Sequence, residues 1–188
     1  MTTSAIIISI IYVLCLTSSV VPRSVGMVSA DDKPSQRFLV PLIFGVTQAL
    51  MAFIGNLLGG LISHLFVYVA EYMVFAMMLV VVVKMFVDSL KVLRGKMMYT
   101  ARRELDFLLL AIMASINTFL MMLMAPTFMP FGSWFYAIVA LGGFLWAFIV
   151  GKFPFEPKIL KKISFVEFSA SIFMLVIAIL YLFTDLLA

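Results

Sequence analysis

The chain has 188 residues, of which 65% are hydrophobic and 12% charged, with a mean hydropathy of +1.21. That balance excludes a water-soluble globular domain, in which about a quarter of the residues are charged. The formal charge of +4 sits on Lys and Arg that flank apolar runs, so it speaks for membrane orientation and not for nucleic acid.

Residues 4–21 (SAIIISIIYVLCLTSSVV) are the first predicted span, ended by Pro22 and Arg23. VSA at 28–30 has the small-residue pattern of a signal-peptide cleavage site, but no Lys or Arg precedes the apolar run and the cleavage region would be too long. The segment is therefore expected to stay as a membrane helix. Cys15 follows Leu14, not a small residue, so a lipoprotein cleavage box is not expected either.

A polar stretch, 22–37, leads to residues 39–64, LVPLIFGVTQALMAFIGNLLGGLISH. Roughly 20 apolar helical residues cross a hydrocarbon core about 30 Å thick, and this run qualifies as the second span. Gln48 falls at its middle. Gly45, Gly55, Gly59, Gly60 and Ser63 have spacings that allow another helix to approach closely. Residues 38–87 would form a helix of about 75 Å, more than twice a bilayer core, so the chain must reverse once. The turn is expected at His64–Glu71, beside the interfacial tyrosines Tyr68 and Tyr72, with the third span at 70–90.

Residues 91–104 form a basic connection, 105–125 the fourth span and PTFMPFG, 126–132, a turn. Residues 133–150 form the fifth span, with Gly142 and Gly143 as packing glycines. KFPFEPKILKK, 152–162, is a second basic connection, and 163–187 the sixth span. The fold class is thus an all-α polytopic membrane protein of six transmembrane helices.

All thirteen Lys and Arg lie in or beside the first, third and fifth connections. The positive-inside rule makes those connections cytoplasmic and both termini periplasmic, in a bacterial inner membrane. Topology suffices to explain the basic loops, with anionic-lipid binding the lesser alternative. LMAFIG at 50–55 is similar to LWAFIVG at 145–151, and MLVVVVKMF at 78–86 to MLVIAILYL at 174–182. Three spans per half make the halves 1–90 and 105–187 an inverted repeat, the architecture of many transporters with a midplane site.

None of the nine acidic residues falls at the predicted middle of a span. Mid-span polarity comes from Gln48 with Thr47 on the second span, and from Asn117 with Ser115 and Thr118 on the fourth. Interhelical hydrogen bonding accounts for such residues. A substrate site is the alternative. No P-loop, no HExxH and no Ser-His-Asp set is present, so no enzyme is expected. One cysteine permits no disulfide, and His64 with Cys15 makes no zinc or haem cluster. The methionines, Met113, Met121, Met122 and Met124 among them, do not form a one-faced stripe for Cu(I). His64 is read as an interfacial residue, with a proton relay as the alternative.

LIFGVTQALMAFIGNLLGGLISH, VKMFVDSLK at 83–91, AIMASINTF at 111–119, IVGKF at 149–153 and the Lys-Lys pair before Glu167 together resemble the small bacterial manganese efflux pumps, the MntP family. The resemblance covers residues 38–182. It implies intramembrane carboxylates on the first, second and fourth helices as metal ligands, where this chain has Leu14 or Cys15, Gln48 and Asn117. A hard divalent cation wants anionic oxygen ligands, and no metal is expected at these neutral side chains. No cofactor is implied. The expected function is that of a manganese-exporter-like protein inactive in transport, a structural or accessory subunit with other integral membrane subunits and the lipid bilayer as partners. The alternative is a working exporter of a cation or small solute.

Overall fold

The computed structural model describes residues 3–25, 34–62, 70–94, 104–128, 134–153 and 156–187. Among them are seven α-helices: α1 (Thr3–Thr17), α2 (Val21–Ser24), α3 (Pro34–Ile62), α4 (Ala70–Leu93), α5 (Glu104–Phe128), α6 (Trp134–Val150) and α7 (Pro157–Leu187). Among the described residues four stretches are long and apolar enough to cross a bilayer: Phe38–Leu61, Tyr72–Leu93, Leu105–Leu123 and Lys158–Leu180. The expected first and fifth spans correspond to shorter apolar helices, Ile10–Ser24 and Trp134–Val150. The predicted turn with Ser63, His64 and Tyr68 lies outside the described residues, as do 26–33, 95–103, 129–133 and 154–155.

The first span does not end at Pro22 and Arg23 as expected. A 3-10 turn, Ser18–Val20, joins α1 to α2, and helical structure continues to Ser24 with Pro22 in the first turn of α2. Proline is tolerated there because a first-turn N–H has no helical partner to lose. The break has a local cause. The hydroxyls of Thr17, Ser18 and Ser19 donate back to the carbonyls of Val13, Cys15 and Leu16, and such back-bonding loosens and bends helices. The second basic connection is also shorter than expected, because α7 starts at Pro157 and takes Lys158, Lys161 and Lys162 into its first turns. Proline again opens the helix.

α3 packs along α5 and α6, α4 along α7 and α5, and the α1–α2 unit fits among α5, α6 and α7. The interior is apolar, with Phe44, Val92, Ala111, Ala114 and Ala147 in one cluster and Leu16, Met78, Met85, Met121 and Met174 in a second. Leu57, Val83 and Phe173 point outward at 52%, 58% and 60% exposure, as lipid-facing residues do.

Close helix approach is set at particular glycines. A Cβ at Gly45 would stand 2.7 Å from the Ala140 carbonyl oxygen on α6, and one at Gly55 2.5 Å from that of Phe119 on α5. Gly142 backs onto Thr17 of α1, and Gly143 onto the Gln48 side chain. Gly59 is buried. Gly60 departs from the expectation, since a Cβ there would meet nothing within 4 Å among the described residues. It lies near the end of α3.

Candidate functional site

Gln48 on α3 and Asn117 and Thr118 on α5 are fully buried, brought to the same level by the long α3–α5 packing. The Thr118 hydroxyl donates to the Gln48 carboxamide oxygen, and Gln48 Nε2 donates to the Ala114 carbonyl at 3.4 Å. Ser19 Oγ donates to that same carbonyl at 2.7 Å, tying the α1–α2 unit to α5. Thr47 and Ser115 are buried, but their hydroxyls donate to Ile43 and Ala111 of their own helices. Cys15 is placed elsewhere: it packs on the second core cluster and borders a groove with Trp146 and Phe165. Leu14 is 41% exposed. The first helix therefore offers the amides no side-chain ligand from either position.

Asn117 leads to a charged cluster that the sequence reading did not anticipate. Lys84 Nζ donates to Asn117 Oδ1 at 2.7 Å and lies 3.4 Å from Asp88 Oδ2, its i+4 neighbour on α4. Asp88 accepts from Arg23 Nη2 at 2.8 Å, and Arg23 Nη1 lies 3.4 Å from Glu167 Oε1 on α7. Arg23 is 1% exposed and Glu167 0%. Arg23 also donates to the Ser19 carbonyl. Three helices, α2, α4 and α7, thus contribute two cations and two anions to one network inside the bundle, and α5 adds the Asn117 amide.

The balance of charge explains how the network survives there. A buried ion loses several kcal/mol of hydration, which only close countercharge and hydrogen bonds can offset. Each carboxylate in the network has a cation, and each cation a carboxylate. Glu167 is buried and Asp88 half-buried, and both are neutralised in place. The local signals were weak: Lys84 and Asp88 at i,i+4 on an apolar helix, and one Glu inside an apolar run.

Two polar atoms of this region lack a partner among the described residues, Asn117 Nδ2 and Glu167 Oε2. No group of three His, Cys, Asp or Glu that would hold a metal ion occurs among the described residues. The donor set is one of amides, hydroxyls and neutralised carboxylates, arranged about a lysine ammonium.

A family model described as "Putative manganese efflux pump" matches residues 32–153, more than half of the chain. The chain belongs to the MntP family. It is a multi-pass, transporter-like membrane protein of that family, as the resemblance in its helices implied. The matched stretch holds Gln48, Lys84, Asp88 and Asn117, whereas Arg23 and Glu167 lie outside it. The Arg23–Asp88 pair therefore ties the matched stretch to its flanks. No curated protein and no solved structure matches the chain.

Proposed function

We propose that this MntP-family protein does not carry divalent metal and serves as a structural or accessory subunit of an inner-membrane complex. The observation that carries the reading is the Lys84 ammonium on the Asn117 amide oxygen. A tethered cation occupies the side chain that the family resemblance would assign to a metal ligand. A manganese ion would have to displace it and then sit in a cluster whose acids are already neutralised. Neutral amide oxygens return too little to compensate a buried double charge.

The topology completes the proposal. The basic connections face the cytoplasm and both termini the periplasm. Two inverted halves, 1–90 and 105–187, are supported by the mutual packing of α3 with α6 and of α4 with α7, the pairs that a twofold exchange of halves would make.

Deletion of the gene should leave cellular manganese content and manganese tolerance unchanged. A manganese-sensitive deletion strain rescued by the wild-type chain would refute the proposal. The second reading, a working exporter of a cation or small solute, is favoured by one feature: Lys84 is 29% exposed, so its ammonium has a route away from Asn117. Uptake of radioactive manganese into inverted vesicles separates the two.

A further inference from the structure

Charge does not balance around the C-terminal end of α4. Asp88 accepts from Arg23 at 2.8 Å and lies 3.4 Å from Lys84, while Lys91 Nζ stands off at 4.0 Å, too far for a hydrogen bond. Glu167 pairs with Arg23. Arg94, held in a last helical turn by its N–H on the Leu90 carbonyl, makes no ion pair among the described residues. The two carboxylates are thus taken by Arg23 and Lys84, and Lys91 and Arg94 remain as surplus positive charge. Both are exposed, and they border one recess of about 320 Å³ with Val87 and Leu90. Residues at i and i+3 are neighbours on a helix face. The positive-inside rule accounts for the side of the membrane on which such residues lie, not for two cations converging on one recess.

The recess continues into a crevice of about 460 Å³ that shares Val87 and Lys91 with it and runs along α4 past Val83 and Val80 to Leu79. Lys91 and Leu79 are about 18 Å apart along the helix axis, against about 15 Å for half of a hydrocarbon core. We propose that Lys91 and Arg94 bind the phosphate of an anionic phospholipid whose acyl chain lies in the crevice along Val87, Val83 and Val80. Charge complementarity selects the headgroup: a guanidinium holds phosphate by paired hydrogen bonds and an ammonium adds its point charge. Depth selects the chain, since the crevice covers one leaflet of a helix apolar enough to cross a bilayer. Lys84 and Asp88 also border the crevice, but they pair with each other and add no net charge to it. A free phosphate would use the recess and leave the crevice to any lipid. The inference stands apart from the transport question, since the lipid binds whether or not metal crosses the protein.

The test is native mass spectrometry of the full chain released from vesicles of equal parts phosphatidylglycerol and phosphatidylcholine. Retained phosphatidylglycerol should exceed retained phosphatidylcholine by at least about fivefold, the effect of one basic residue near an anionic surface. Lys91→Gln with Arg94→Gln should bring the two lipids to parity. Lys161→Gln with Lys162→Gln removes the same charge from the exposed start of α7 and should keep the preference. Val83→Trp fills the crevice and should lower phosphatidylglycerol retention. All five positions are exposed, so folding is not at stake. Equal retention of both lipids by the wild type, the same loss in both double variants, unchanged retention in Val83→Trp, or a protein in place of lipid on the released chain would each overturn the assignment.

Discussion

The Lys84 ammonium lies 2.7 Å from the Asn117 carboxamide oxygen and 3.4 Å from the Asp88 carboxylate, so a single side chain joins the neutral amide of α5 to the charged cluster. Asn117 is bound as an acceptor, and this fixes its amide orientation: the flipped form would turn its NH2 group toward a cation. Lys84 therefore stands guard over any positive charge approaching the amides.

The first prediction follows from that guard. Gln48→Glu with Asn117→Asp restores two acids, but Lys84 neutralises one of them, and the double variant should bind manganese weakly. Adding Lys84→Met should strengthen binding at least tenfold, a difference of about 1.4 kcal/mol. Loss of the free-ion Mn(II) spin-resonance signal on titration measures it. Equal affinity with and without Lys84 would remove the ammonium from the argument.

Arg23 is the centre of the cluster, and its loss leaves the buried Glu167 carboxylate without its cation and takes the closest one from Asp88. Arg23→Ala is expected to destabilise by about 3–5 kcal/mol, the range for breaking a buried pair by removing one partner. Glu167→Gln should be far milder, since its contact with Arg23 is the longer of the two and Asp88 keeps the guanidinium. Thermal melts of the purified variants in detergent give the ranking, and Glu167→Gln melting below Arg23→Ala contradicts it.

Thr118 and Gln48 make the hydrogen bond that links α5 to α3. Interhelical bonds of this kind in a membrane bundle average about 0.6 kcal/mol and reach about 1.7. A double-mutant cycle of Thr118→Val and Gln48→Leu, read by unfolding, should return a coupling in that range. A value of zero would mean that the two side chains do not bond in the folded protein.

Gly45 and Gly60 should respond oppositely to the same change. Gly45→Ala drives a methyl into the Ala140 carbonyl, an atom of backbone that cannot swing aside, and should cost about 1–3 kcal/mol. Gly60→Ala has room among the described residues and also raises helix propensity by up to about 1 kcal/mol. A Gly60→Ala melt above wild type alongside a Gly45→Ala melt below it is the expected result.

Much of this protein was decided by composition and order alone. A hydropathy of +1.21 dictates a membrane protein, since unbroken apolar runs have no other stable home, and helices follow because the backbone must satisfy itself in lipid. Gln48 and Asn117 were recognisable as the polar centres of their spans. Gly45, Gly55, Gly142 and Gly143 were recognisable as packing positions, although Gly60 was not distinguishable from them. These are local properties, additive along the chain.

The charged cluster is not of that kind. Arg23 reads from sequence as the polar end of a span because a lone charge seeks water. In the folded chain Asp88, 65 residues on, and Glu167, 144 residues on, replace the water it would have sought. Lys84 reaches Asn117 across 33 residues for the same reason. Whether a charge lies at the surface or inside depends on where its countercharge is. Only the packing of α2, α4, α5 and α7 around one another decides that.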